Sequence, residues 1–113
     1  MTVSIRRAAL IAAFGVATSG AAQADDLPTY SLTLKNHRFA PAEIHVPMGK
    51  PFFIVVANQD DTADEFEMNN PAIEKVIPPG DQGKVRMRPL GPGRFVFFDD
   101  FHRETAQGVI VSE

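Results

Sequence analysis

The chain has 113 residues with no cysteine and no tryptophan, and 11 Lys and Arg against 14 Asp and Glu give it a formal charge of −3. Without a thiol, disulfide frameworks, iron–sulfur clusters, zinc fingers, cysteine nucleophiles and thiolate-ligated blue copper are excluded. Any metal chemistry must rest on oxygen and imidazole.

The first 24 residues differ from the rest. Arg6 and Arg7 precede an apolar run from Ala8 to about Val16, and Ala22-Gln23-Ala24 is the small-x-small pattern read by a signal peptidase. The run is too short to cross a hydrocarbon core, which takes about 20 residues. Cleavage near Ala24 and export to the periplasm are expected, leaving 25–113 as one domain. The mature chain then carries 9 basic against 14 acidic groups. That balance argues against nucleic acid or anionic lipid as partners, because both call for clustered Lys and Arg. A single small exported domain without cysteine depends on its core, or on a bound ion, for stability.

The mature segment alternates with a period of two in short stretches set apart by turn residues, the pattern of an all-β domain. Tyr30, Leu32 and Leu34 alternate with polar residues, as do Ile44 and Val46. Pro51 to Val56 is a continuous apolar run, expected for a strand buried on both sides, and Asn58-Gln59-Asp60-Asp61 ends it. Glu65-Phe66-Glu67-Met68, Val85 with Met87, and Phe95 with Phe97 alternate again, and Gly108 to Val111 supplies a last strand. Pro47-Met48-Gly49, Pro78-Pro79-Gly80 and Pro89 to Gly93 mark turns. The expectation is a Greek-key β-sandwich of seven or eight strands, with at most one helical turn between Asn69 and Val76. Phe52, Phe53, Phe66, Phe95, Phe97 and Met87 are read as core, Met48 as turn, and Met68 as lying near the acidic end.

If successive strands run antiparallel, the turns Asn36–Pro41, Asn58–Asp64 and Asp99–Gln107 share one pole. The last two of these, with the strand start after the second, hold Asp60, Asp61, Asp64, Glu65, Glu67, Asp99, Asp100 and Glu104, eight of the fourteen acidic groups, together with His102. Crowded carboxylates repel one another and are costly to desolvate, and a divalent cation offsets both costs. A solvated acidic rim is the competing reading of such a charge run. His102, three residues after Asp99 and walled by Phe97, Phe98 and Phe101, adds an imidazole donor. Glu65 and Glu67 project to one side of their strand, opposite Phe66. His37 lies in the first turn at the same pole. Asp64 and Asp100 read as solvated turn residues, and His45 as exposed and inert.

The stretch Phe39-x-Pro41-x-x-Ile44-x-Val46-x-x-Gly49 and the hairpin Gly93-x-Phe95-x-Phe97-x-Asp99-x-x-His102 resemble the cupredoxin superfamily. Blue-copper members carry a cysteine where Asp99 stands, so the resemblance does not extend to a blue electron-transfer site. Asn36-His37-x-Phe39-x-Pro41, Glu65-Phe66-Glu67, Pro89-Leu90-x-Pro92-Gly93 and Phe97-Phe98-x-x-Phe101-His102 with Thr105-Ala106-Gln107-Gly108 make the chain more similar to periplasmic components of bacterial ferrous iron uptake, of the FtrB type and the N-terminal cupredoxin domain of the EfeO type. This resemblance implies work alongside a periplasmic iron-binding protein and a membrane iron permease. It maps Glu65 and Glu67 onto an acidic triplet, Asp99 onto a cysteine position of EfeO-type domains, and His102 onto the hairpin histidine. Phe39 falls at a second cysteine position, leaving Asn36 or His37 as the replacement donor.

The resulting expectation is a periplasmic metal-binding protein of ferrous iron uptake that binds or helps oxidise iron, or copper used for that oxidation, at Glu65, Glu67, Asp99, His102 and His37. Carboxylates with imidazole form a hard site suited to iron or manganese, although cupric ion binds such donors more tightly. No nucleophile–base pair or phosphate loop is present, so hydrolytic catalysis is not expected, while oxidation of ferrous ion stays open. Two other readings remain: a periplasmic copper-binding protein for copper storage or delivery, and a metal-free scaffold of a membrane transport complex.

Overall fold

The computed structural model describes residues 26–113; the export segment read at residues 1–24 lies outside them. Among the described residues nine strands follow in order: β1 (Thr29–Lys35), β2 (Arg38–Ala40), β3 (Glu43–Val46), β4 (Phe52–Asn58), β5 (Asp64–Met68), β6 (Ile73–Ile77), β7 (Gln82–Met87), β8 (Gly93–Phe98) and β9 (Gln107–Ser112), with a 3-10 turn at Asp100–His102 before β9. They form a four-stranded sheet, β2-β1-β4-β7, and a five-stranded sheet, β3-β9-β8-β5-β6.

The core lies between the sheets, and strand periodicity builds it. Leu32 and Leu34 of β1, Phe52, Ile54 and Val56 of β4, Val85 and Met87 of β7, Phe66 and Met68 of β5, Phe97 of β8 and Ile110 of β9 are all buried in one cluster. Phe97 stacks edge-on against Phe39, with ring centroids 4.9 Å apart, and lies tilted against Phe66 at 5.3 Å. The methionine placed near the acidic end by the sequence, Met68, is instead part of this core.

Four other details differ from expectation. The count is nine strands because three residues, Arg38 to Ala40, turn back on β1 in register Lys35↔Arg38, Leu34↔Phe39 and Thr33↔Ala40. Strand order is not uniformly antiparallel, since β1 pairs with β4 and β3 with β9 in parallel. The apolar run in β4 is buried on one face only: Phe53, Val55 and Ala57 are half-exposed, and the Lys84 ammonium lies 4.2 Å from the centre of the Phe53 ring. Residues Ile73–Ile77, read in part as a helical turn, pair with β5 as a strand.

Asn58, at the end of β4, fixes the loop that follows. Its side-chain amide donates to the carbonyls of Thr62 and Ile77, each at 2.9 Å, and its carbonyl oxygen accepts from the Asp60 amide at 2.9 Å. Buried polar groups must be satisfied, and these bonds tie the loop to the five-stranded sheet.

Candidate metal centre

The three turns at one pole do converge. Asp60 accepts from the backbone N–H of Asn36 at 2.6 Å and of His37 at 3.1 Å, joining the second of these turns to the first. The Thr105 hydroxyl donates to the His37 carbonyl at 2.7 Å, joining the last turn to the first. The His37 and His102 rings stack 3.5 Å apart and 20° from parallel.

Local sequence sets the last turn. Asp99 caps the 3-10 turn by accepting from the Phe101 amide at 3.0 Å, and its backbone carbonyl accepts from the His102 amide at 3.0 Å. The second carboxylate oxygen of Asp99 remains buried without a donor. This Asx-type cap uses one carboxylate oxygen and leaves the other over.

The buried carboxylate at the centre is Asp64. It is completely buried, and neither of its oxygens has a hydrogen-bond donor. His37 Nδ1 lies 3.5 Å and His102 Nε2 3.6 Å from the same Asp64 oxygen. These separations exceed the roughly 2.7–3.2 Å of a hydrogen bond. They lie within a few tenths of an ångström of the ~3.4 Å edge of a tetrahedron whose centre is an ion about 2.1 Å from each donor. Among the described residues, four of the five buried side-chain atoms without a partner belong to this place: His37 Nδ1, both Asp64 oxygens and one Asp99 oxygen. A buried carboxylate facing two imidazole nitrogens fits a cation, and its oxygens are left without a partner in its absence.

Electrostatics agree with this geometry. Burial, and then the neighbouring carboxylates Asp99 and Asp60, push Asp64 up to about 8. Without a cation, Asp64 therefore keeps its proton well above the ordinary carboxylate range.

The five expected site residues divide between two places. His37 and His102 meet at Asp64, with Asp99 buried alongside. Glu65 and Glu67 lie on the other face of β5, where they gather with Asp100. The Asp100 amide donates to Glu65 at 3.2 Å. Burial, and then Glu67, push Glu65 up to about 7. The cause is strand alternation: Asp64 and Phe66 face inward, so Glu65 and Glu67 face outward. From sequence alone Asp64 reads as a solvated turn residue, and the structure buries it completely. The signal that finds it is Phe66, since a residue two positions from a core phenylalanine shares its face. His45 stays exposed, paired with Glu43 at 2.7 Å.

The sequence matches the cupredoxin-like domain family over residues 6–112. A curated relative, the uncharacterized protein RP394 of Rickettsia prowazekii (strain Madrid E), is 36% identical over 87 residues, covering 77% of this chain and 70% of the relative. Among solved structures, dithionite-reduced auracyanin from Roseiflexus castenholzii aligns with a TM-score of 0.65 at 15% identity, over 83% of this chain and 99% of that one. The metal-binding domain of the Streptococcus pneumoniae D39 Cu(I)-exporting P-type ATPase CopA, with Cu(I), aligns with a TM-score of 0.67 at 18% identity, over 82% and 92%. With two β-sheets enclosing one core and the family match spanning nearly the whole sequence, the chain belongs to the cupredoxin-like domain family.

Proposed function

We propose that this protein is a periplasmic metal-binding protein of ferrous iron uptake, working with a periplasmic iron-binding protein and a membrane iron permease. In this reading His37, His102 and Asp64 hold the ion and Asp99 supports them from behind. The observation that carries it is the buried, donor-free Asp64 carboxylate facing two imidazole nitrogens at 3.5 and 3.6 Å. Two histidines and one carboxylate with positions left open form the donor set that non-haem ferrous sites use. The ion is the protein's cargo, and the open positions leave room for water or for a ligand of the partner that receives it. Buried Glu65, half-buried Glu67 and exposed Asp100, gathered on the other face of β5, add acidic groups near the site that favour cations.

Anaerobic titration with ferrous, manganous and cupric ions tests the reading. Ferrous binding is expected in the wild type and is lost in Asp64→Ala and His102→Ala, while Glu65→Ala retains it. Ferrous affinity unchanged in the first two variants refutes the site.

Copper storage or delivery is the second reading, favoured by the copper named for the structural neighbours, such as the CopA domain with Cu(I). The donor set counts against it, since soft cuprous ion prefers sulfur and this chain has no cysteine. Tight cuprous binding with no ferrous binding in the same titration would establish it instead.

A further inference from the structure

The first hairpin carries His37 in an unusual backbone. β1 and β2 are joined by Asn36 and His37, with φ of 54° and 56° respectively. Two consecutive left-handed residues make the type I′ turn that suits a tight hairpin; glycine and asparagine favour it, and histidine, although enriched among non-glycine residues at positive φ, is uncommon there. A side chain with a β-carbon persists there only when its surroundings hold it.

Asp60 is what holds it. One carboxylate oxygen accepts the Asn36 N–H at 2.6 Å; the other accepts the His37 N–H at 3.1 Å and lies 3.4 Å from His37 Nδ1. The carboxylate is itself anchored, because the Asp60 amide donates to Asn58 and Asn58 is bonded to the Ile77 carbonyl. Asp60 is thus the acceptor for both turn amides.

We propose that Asp60 is the positioning residue of the metal centre: by holding the Asn36–His37 turn in its left-handed form it aims His37 Nδ1 at Asp64, without itself ligating the ion. The inference rests on the metal-centre reading above and adds a residue to it. Asp60 acts through geometry, so its loss removes one imidazole from the ion and leaves the other, and a turn that needs no outside support makes Asp60 dispensable.

Cupric ion serves as the probe, with spin-echo electron paramagnetic resonance counting the bound imidazoles. Wild type is expected to show two and His37→Ala one. Asp60→Ala is expected to show one, with cupric affinity lowered by about 10–100-fold as for other residues that orient ligands. Asp60→Asn, which keeps one acceptor oxygen, gives an intermediate loss and serves if the alanine variant does not fold. Two imidazoles and near-wild-type affinity in both Asp60 variants overturn the proposal. If His37→Ala matches wild type, the metal-centre reading itself fails, a different outcome from the failure of Asp60.

Discussion

Asp64 shows how one side chain sets the behaviour of a site. A carboxyl pushed from its ordinary 3.8 up to about 8 binds a proton more tightly in the folded chain than in the unfolded one. Between those values the folded state holds the extra proton, so stability falls as pH rises, and Glu65, raised from 4.5 to about 7, adds to the same slope. The metal-free protein is therefore expected to melt at a higher temperature near pH 5 than near pH 8, with Asp64→Asn flattening the difference. A melting point that climbs over this interval contradicts the assignment. A bound divalent ion reverses the preference, because the ligand must give up its proton, and metal affinity rises as pH approaches 8. At this scale the sequence was legible for His37 and His102, both polar residues in turns counted to the same pole. It was illegible for Asp64, because an aspartate in an acidic turn looks like any solvated one until Phe66 fixes which way the strand faces.

At the scale of elements, the β8–β9 hairpin carries the last turn to the pole, and its packing is tight. Gly108 lies opposite Phe97 in register. A β-carbon on it would run into the Phe97 ring and come within 2.8 Å of the Ala42 carbonyl. Gly108→Ala must displace the ring or the backbone, and is expected to cost about 1–3 kcal/mol in denaturant unfolding. Phe97→Ala, which empties space against Phe39 and Phe66, is expected to cost about 3–5 kcal/mol. Either variant unfolding at the wild-type midpoint would show that the hairpin is not packed as described. Alternation made most strands legible, because a face either enters the core or meets water. β2 was not, since three residues after a turn and before Pro41 are too few to display a period. The parallel pairs were not either, because a strand's periodicity carries no information about the direction of its neighbour.

For the molecule as a whole, the functional end is assembled by chain segments far apart in sequence. Asp60 bonds to the Asn36–His37 turn, Thr105 to His37, and Asp100 to Glu65. These contacts are made by protein groups alone, and they hold the three turns together at one end of the sandwich. A cation that binds only the folded state also stabilises it in proportion to its occupancy. The sequence revealed this convergence through turn counting. It did not reveal that β5 divides the acidic groups between an inner pair, Asp64 with Asp99, and an outer group, Glu65, Glu67 and Asp100. That division is the central claim, and locating the ion tests it most directly. Anomalous diffraction at the iron edge, from crystals loaded anaerobically with ferrous ion, should place the metal about 2.0–2.2 Å from His37 Nδ1, His102 Nε2 and an Asp64 oxygen. Iron held only by Glu65, Glu67 and Asp100, with Asp64 left unligated, would contradict it.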